Sequence, residues 1–124
     1  MLASGSYDNT IKLWDLSNNT CVHTMTNVVK DILALAAYEK DDETILISSS
    51  ADNTIKLWNL NTRSISTILQ GHSSIVTCLA VYYHDSKAYL ASGSTDCIIN
   101  IWSLDNHTLV STMDGDYLGL LCRF

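Results

Sequence analysis

The feature that most constrains the fold of this chain is a motif that recurs three times at a constant step of 44 residues. The three copies read LASGSYDNTIKLWDL, LISSSADNTIKLWNL and LASGSTDCIINIWSL. They align without insertion or deletion, so a serine, an aspartate and a tryptophan return at every step. Self-similarity at a period of this size is typical of repeat proteins, in which each unit buries its apolar surface against the next.

Local composition predicts that each unit consists of short strands. Runs rich in Ile, Val, Leu and Thr alternate with clusters of Asn, Asp and Ser, and no segment shows a sustained helical period. The Asp-Asn pairs at 8–9 and 52–53 suit tight turns, whereas 39–43 and 84–87 are predicted to be the longest polar loops. The predicted strands lie near 2–6, 10–15, 20–25, 31–38, 44–49, 54–59, 64–69, 75–83, 88–93, 97–103, 108–113 and 117–122.

Composition and charge limit the classes of partner. Hydrophobic residues make up 47% of the 124 residues, which is enough to form a buried core. Thirteen acidic against seven basic residues give a net charge of −6, and the basic residues are scattered along the chain. Because nucleic-acid binding needs clustered lysine and arginine, no nucleic-acid partner is predicted.

The sequence shows no targeting or membrane-spanning segment. The amino-terminal stretch MLASGSYDNT has neither the basic region nor the apolar run of a secretory signal. The longest aliphatic stretch, residues 32–38, is too short to span a bilayer. These observations predict a protein without membrane contact in the cytoplasm, with the nucleus as the alternative. The four cysteines are then expected to be reduced, buried thiols.

The dipeptides that open and close the units give the repeat a family resemblance. Gly71-His72 opens one unit, Trp102-Ser103 closes it thirty residues later, and Trp14-Asp15 is a complete Trp-Asp pair. The chain thus resembles the WD-repeat family of β-propellers, although Asn59 and Ser103 depart from the final aspartate. The resemblance implies an all-β fold of antiparallel four-stranded propeller blades, about three in number, forming a partial or open propeller.

The resemblance also implies a hydrogen-bonded tetrad inside the blade of the third unit. In the second unit Val28 stands at the histidine position and Asn27 at the preceding glycine, and the chain begins after the histidine position of the first unit. Only the third tetrad is therefore expected to be complete, and the other blades are expected to be less rigid. The implied members are His72, Ser92, Asp96 and Trp102 in the third unit, Ser48, Asp52 and Trp58 in the second, and Ser4, Asp8 and Trp14 in the first.

The resemblance describes residues 1–124 as one propeller segment. It implies an incomplete first blade at 1–25, full blades at 31–69 and 75–113, and an innermost strand of a further blade at 117–122. A closed propeller typically needs four to eight blades. The start of the chain directly in a strand favours a piece of a longer propeller. The alternative is assembly of copies, in which strand 117–122 of one copy completes the first blade of the next.

Catalytic and metal-binding interpretations find little support. Ser92, His72 and Asp96 have the residue types of a hydrolase triad, but no G-x-S-x-G motif is present and the tetrad would bury them. The sequence has no Cys-x-x-Cys pair and no phosphate-binding glycine loop, and its four histidines lie far apart. We predict no enzyme activity, no cofactor and no metal, and keep the serine hydrolase as an alternative.

Binding is the predicted function. The resemblance implies a non-catalytic scaffold for a protein or peptide partner, as part of a larger propeller or assembly. The alternative is a purely structural propeller segment without its own ligand. Partners would dock on the loops before the innermost strands and on the aspartate-bearing turns. The candidate residues on this face are Tyr7, Asn9, Asn27, Lys30, Ala51, Asn53, Ser73, Ser74, Thr95 and Tyr117.

Overall fold

A computed structural model describes residues 1–26 and 30–115, which form eleven β-strands and contain no helix. Accordingly, the described residues include no helix that is long and apolar enough to cross a membrane. The predicted strand 117–122 lies outside the described residues. The strands are β1 (Leu2–Gly5), β2 (Ile11–Asp15), β3 (Thr20–Met25), β4 (Ile32–Lys40), β5 (Glu43–Ser50), β6 (Ile55–Asn59), β7 (Ser64–Leu69), β8 (Val76–His84), β9 (Lys87–Ser94), β10 (Ile98–Ser103) and β11 (Thr108–Asp114).

The described strands form three antiparallel sheets, in each of which neighbours in sequence are neighbours in space. Sheet one contains β1–β3, sheet two contains β4–β7, and sheet three contains β8–β11. The pairing register repeats with the sequence, because a leucine faces a tryptophan in each sheet. The three pairs are Leu2 with Trp14, Leu46 with Trp58, and Leu90 with Trp102. The predicted all-β fold of open antiparallel sheets is confirmed.

The two long polar loops predicted at 39–43 and 84–87 are wrong. The β4–β5 ladder continues to the pair Lys40 with Glu43, and the β8–β9 ladder continues to His84 with Lys87. Each connection is therefore a two-residue turn, and both of its residues have positive φ: 51° and 63° at 41–42, and 48° and 61° at 85–86. Such turns match the twist of paired strands, and Asp tolerates this conformation. The polar residues at 39–43 and 84–87 therefore extend the strands into tight turns and do not form long loops.

Neighbouring sheets pack face to face in one repeated way. We call the face that a sheet turns towards the next sheet along the chain its forward face, and the opposite face its rear face. The forward face of sheet two packs on the rear face of sheet three in one buried apolar cluster. The forward face supplies Tyr38, Ile45, Ile47, Ile55, Leu57 and Leu69, and the rear face supplies Val76, Ala88, Leu90, Trp102 and Leu104.

Sheets one and two repeat this packing with side chains that stand 44 positions earlier in the sequence. Ile11, Leu13 and Met25 from the forward face of sheet one meet Ile32, Leu46 and Trp58 from the rear face of sheet two. Full burial of an aliphatic side chain of this size contributes about 1.5–3 kcal/mol. The two clusters therefore supply most of the apolar stabilisation that joins the sheets.

The expectation of reduced, buried cysteines holds only in part at the described positions. Cys21 is a free thiol but is exposed, and Cys97 is free but only half-buried. Cys78 is buried, but it is disulfide-bonded. Residue type therefore did not predict the burial of Cys21 and Cys97, whose positions in a strand and a turn leave them accessible.

Candidate functional site

The complete tetrad expected in the third unit is assembled inside sheet three. His72 precedes β8, Ser92 lies on β9, Asp96 lies in the turn after β9, and Trp102 lies on β10. His72 Nδ1 is 2.9 Å from Asp96 Oδ2, and its Nε2 is 2.8 Å from Ser92 Oγ. The Trp102 indole donates to Ser92 Oγ at 2.9 Å. One network therefore joins a loop, a turn and two strands.

The Asp96 carboxylate sets the proton positions in this network. Burial by itself would raise the pKa of Asp96, but hydrogen bonds from His72 and from backbone amides hold that pKa below its ordinary value of 3.8. The carboxylate is ionised at neutral pH and only accepts, so His72 Nδ1 donates to it. In the neutral imidazole Nε2 then accepts the Ser92 hydroxyl hydrogen, and Ser92 Oγ accepts the Trp102 N–H.

Sheet two uses a lysine where sheet three uses a histidine. Its serine and tryptophan keep their bond, because the Trp58 indole donates to Ser48 Oγ at 2.8 Å. Asp52 is instead paired with Lys56, whose Nζ lies 2.7 Å from Asp52 Oδ2 and also donates to Thr54 Oγ1 at 2.6 Å. Lys56 is only 4% exposed. A buried ammonium therefore neutralises the carboxylate that has no histidine partner.

The ion pair also controls the acidity of Asp52. Burial would raise the pKa of Asp52, but hydrogen bonds from Lys56 and Thr54 and the positive charge of Lys56 lower it below 3.8 overall. Sequence analysis missed Lys56 as a site residue. The sequence nevertheless places this lysine four residues after the aspartate, in a run of apolar residues. That pattern indicates a strand buried on both faces, in which a lysine needs an acidic partner.

Sheet one carries the least buried version of the arrangement. The Trp14 indole donates to Ser4 Oγ at 2.9 Å, as in the other sheets. Asp8 is exposed and accepts from the Thr10 hydroxyl at 2.7 Å, which is the main cause of its lowered pKa. Lys12, the counterpart of Lys56, donates to Thr24 Oγ1 at 3.1 Å. The serine–tryptophan bond thus recurs in all three described sheets. The aspartates of sheets one and two both accept from a threonine hydroxyl, but Asp52 is also paired with Lys56, and Asp96 is paired with His72.

The geometry of Ser92 suits a structural bond and does not suit a nucleophile. The side chain is fully buried, and its hydroxyl lies between the His72 ring and the Trp102 indole. A catalytic serine must reach a substrate carbonyl beside an oxyanion hole, whereas this hydroxyl lies on the face of sheet three that packs on sheet two. Within residues 1–26 and 30–115, no three His, Cys, Asp or Glu side chains group closely enough to hold a metal ion.

The described candidate residues for partner binding lie on the segments that connect the strands at one end of the sheets, which we call the turn end. The turns after β1, β5 and β9 are tied to the segments before β4 and β8. Ile32 N donates to Ser6 O at 3.2 Å, Ala51 N to Asp31 O at 3.0 Å, and Thr95 N to Ile75 O at 3.1 Å. These backbone bonds hold neighbouring connections against one another.

The candidate residues at the turn end differ in exposure and in local role. Tyr7 is 74% exposed, and Lys30 and Ser73 are also exposed. Asn9 and Asn53 are half-buried and adopt φ of 66° and 70°, so they serve the turn backbone. The other described candidates, Ala51, Ser74 and Thr95, are also half-buried. The Ser74 and Thr95 hydroxyls lie 2.7 Å apart and hydrogen-bond each other. Asn27 and Tyr117 lie outside the described residues.

Comparison with known proteins agrees with this geometry. The family model described as "WD domain, G-beta repeat" matches residues 1–15, 19–59 and 63–103. The chain belongs to the WD-repeat family. WD-repeat propellers are generally scaffolds for protein–protein interaction and are typically non-catalytic.

The matches to two relatives cover only part of each relative's length. F-box-like/WD repeat-containing protein TBL1X from Mus musculus is 42% identical over 36 residues, which cover 29% of this chain and 7% of that protein. The WD40 β-propeller domain of Doa1 has a crystal structure that matches 94% of this chain with a TM-score of 0.81 and 28% identity. That match covers 37% of the Doa1 chain. The chain therefore spans well under half the length of either relative.

One buried polar group in sheet two leads to a stability prediction. Ser49 Oγ is fully buried and has no hydrogen-bond partner among the described residues, and glycines stand at the equivalent positions 5 and 93. Ser49→Ala is expected to raise the free energy of unfolding by about 1 kcal/mol, because an unsatisfied buried hydroxyl is removed. Urea unfolding measures the change. The neighbouring Ser48→Ala, which deprives Trp58 of its acceptor, should lower stability, and equal effects of both variants would contradict this account.

Proposed function

We propose that this WD-repeat chain is a non-catalytic scaffold that binds a protein or peptide partner at the turn end of its sheets. The observation that carries the proposal is the position of Tyr7, a largely exposed tyrosine on a turn with a fixed backbone. Ser6 O in that turn accepts from Asn9 N at 3.3 Å and from Ile32 N of sheet two at 3.2 Å. Tyrosine side chains held in this manner are frequent anchors of protein interfaces.

The chemistry of the turn end suits a peptide or protein surface. Tyr7 offers an aromatic ring with a hydroxyl, Ser73 offers a hydroxyl, and Lys30 offers an ammonium group. These groups donate hydrogen bonds to backbone carbonyls and side-chain carboxylates. Because the connections that carry them are tied to the sheets, little conformational entropy would be lost when a partner binds.

The two alternatives have weaker support. A serine hydrolase would need the Ser92 hydroxyl outside the sheet, where His72 and Trp102 do not hold it. A purely structural segment without a ligand would leave the exposure of Tyr7 without a role. The binding experiment below also separates this second alternative from the scaffold.

We expect Tyr7→Ala to weaken partner binding about 30-fold, the equivalent of about 2 kcal/mol for an aromatic anchor. Affinity capture of the wild type and the variant, compared by quantitative mass spectrometry, would identify the proteins that depend on Tyr7. Calorimetry with one of those proteins, purified, would then measure the dissociation constants.

The matched control for this experiment is Tyr83→Ala. Tyr83 is also largely exposed, but it lies near the far end of β8, next to the turn at 85–86 and away from the turn end. It should leave the affinity of the same partner unchanged. Equal losses with both variants, or no loss with either, would contradict the proposed docking face.

A further inference from the structure

The junction between sheets two and three ends in a polar group of side chains on the side opposite the turn end, which we call the far end. Tyr38 packs in the apolar cluster of this junction with Ala88 and Leu104. Tyr83 faces Ala88 across the β8–β9 ladder, and Asp105 directly follows Leu104. Tyr38, Tyr83 and Asp105, which we call the far-end cluster, therefore lie close together between two sheets that each have four strands.

Tyr38 combines a buried ring with an unpaired hydroxyl. The residue is 5% exposed, and its hydroxyl makes no hydrogen bond within the described residues. In that part of the chain, the fully enclosed side-chain atoms without a partner are Asn9 Oδ1 and Ser49 Oγ, so the Tyr38 oxygen reaches the surface. Burial raises the pKa of Tyr38 above its ordinary value of 10.0, and the neighbouring Asp105 carboxylate and Tyr83 hydroxyl raise it further. The phenol therefore stays protonated at neutral pH, beside a negative charge.

The Asp105 carboxylate is also unpaired. Lys40 Nζ donates to the backbone oxygen of Asp105 at 3.3 Å, and the ion pairs of the described residues do not include the Asp105 carboxylate. Burial, and then the positive charge of Lys40, lower the pKa of His107 below 6.5, so this nearby ring is neutral at pH 7. The far-end cluster thus presents three side-chain acceptors without a cation of their own.

The connections around the far-end cluster carry an excess of negative charge. Segments 39–43, 60–63, 84–87 and 104–107 contain six acidic residues against three basic ones. The acidic residues are Glu39, Asp41, Asp42, Glu43, Asp85 and Asp105, and the basic ones are Lys40, Arg63 and Lys87. A surface of this sign attracts a basic partner and disfavours an acidic one.

The repeat itself does not require the residues of the far-end cluster. Glu39 and Asn61 stand 44 positions before Tyr83 and Asp105, on the corresponding strand and turn of sheet two. Both turns have the same backbone form, with φ of 58° and 59° at their equivalent third residues. Because folding succeeds with other side chains at these places, a tyrosine that is 62% exposed and an unpaired carboxylate point to binding.

We propose that the far-end cluster binds an arginine side chain from a basic segment of a partner protein. A guanidinium group has five N–H donors and no acceptor, and the cluster offers the Asp105 carboxylate and two tyrosine oxygens to accept them. The exposed Tyr83 ring also offers an aromatic face, on which a planar guanidinium stacks better than an ammonium. This site is separate from the turn end, so one chain holds two partners at opposite ends of its sheets.

Titration of the 15N-labelled 124-residue chain with a defined peptide, followed by NMR, tests the proposal. The probe is a blocked hexapeptide with two central arginines flanked by glycines. The amide signals of Tyr83 and Asp105 should shift on addition of this peptide, whereas that of Tyr7 should stay in place. A peptide with two glutamates in place of the arginines should leave the spectrum unchanged at the same concentrations.

Substitutions in and beside the far-end cluster should change the affinity for the arginine peptide in opposite directions. Asp105→Asn should raise the Kd about tenfold through the loss of a charged acceptor, and Tyr83→Ala about fivefold through the loss of the cation–π contact. Tyr38→Phe keeps the buried ring and should raise the Kd about threefold. Lys40→Met should lower the Kd about threefold, because it removes a like charge. Urea unfolding checks that each variant is folded.

Tyr7→Ala and Asp8→Asn are the matched controls, because they remove an exposed tyrosine and an exposed carboxylate at the turn end. Both should bind the arginine peptide like the wild type. If Asp8→Asn weakens binding as much as Asp105→Asn, net charge alone attracts the peptide and the proposal fails. A loss of binding in Tyr7→Ala would assign the peptide to the turn end instead.

Two further results would overturn the proposal without affecting the scaffold function of the turn end. One is an arginine peptide that causes no shift at millimolar concentration. The other is weaker binding by Lys40→Met together with binding of the glutamate peptide, because that result would show that the far end takes an acidic ligand.

Discussion

Replacing His72 with alanine is expected to lower the free energy of unfolding by about 3–4 kcal/mol. The substitution removes a nearly buried ring that donates to the ionised Asp96 carboxylate and accepts from Ser92. A hydrogen bond to a charged group contributes about 1.5–3 kcal/mol, and a buried hydroxyl deprived of its acceptor costs about 1–3 kcal/mol. Urea unfolding followed by tryptophan fluorescence would measure the loss, because Trp102 belongs to the same network.

The matched control for His72 is another histidine that also faces an aspartate. His84 Nε2 lies 3.3 Å from Asp85 Oδ2, but both side chains are largely exposed. Exposed pairs of this kind contribute little, so His84→Ala should leave the midpoint of unfolding almost unchanged. A His72→Ala protein that keeps its stability but loses a hydrolytic activity would contradict the structural role of the tetrad.

Exchanging Asp52 for asparagine is expected to lower the free energy of unfolding by about 2–3 kcal/mol. The amide keeps the oxygen that accepts from Thr54 N, but it leaves the buried Lys56 ammonium without an opposite charge. Breaking one partner of a fully buried ion pair typically costs about 3–5 kcal/mol, and the partial exposure of Asp52 reduces that figure. Chemical unfolding of the variant beside the wild type measures the difference.

The same variant has a defined pH signature and a control within the chain. The folded pKa of Asp52 lies below 3.8, so its stabilisation is complete above that pH and is lost as the pH falls through the folded pKa. The stability difference between wild type and Asp52→Asn should therefore shrink in acid. Asp8→Asn should have little effect, because Asp8 is exposed and its counterpart lysine bonds Thr24 instead. A pH-independent difference would contradict the ion pair as its cause.

Much of the fold was predictable because one repeat unit specifies it three times. The serine, aspartate and tryptophan positions located the strands on either side of each turn, and the tetrad around His72 followed from the resemblance of that unit to the WD-repeat family. Turn conformation was less predictable from residue type. Asn9 and Asn53 adopt positive φ as such residues often do, but Cys97 stands at the equivalent third position with φ of 68°. The ladder on each side imposed that conformation on a residue that does not favour it.

The burial of Lys56 and its pairing with Asp52 were not predicted, for a different physical reason. A lysine is rarely buried unless it is paired, and in a strand it usually marks a solvent-facing side. Here both faces of β6 are covered, so the side chain remains inside and meets the carboxylate of the preceding turn. Composition cannot show this, because Lys12 has the same sequence neighbours and a different partner. The difference accompanies burial, because Lys56 is buried on β6 whereas Lys12 on β2 is half-buried.

The uniform spacing of the two inter-sheet clusters affects how such a gene can change. Because equivalent apolar side chains of the two clusters stand 44 positions apart, an in-frame duplication or deletion of one period would place the remaining apolar side chains in equivalent surroundings. The crossover point would not matter, since any starting place within the period produces the same joint. Recombination between the copies would therefore lengthen or shorten the protein by whole sheets. Insertions or deletions of other lengths would place the apolar side chains out of register and prevent the sheets from packing.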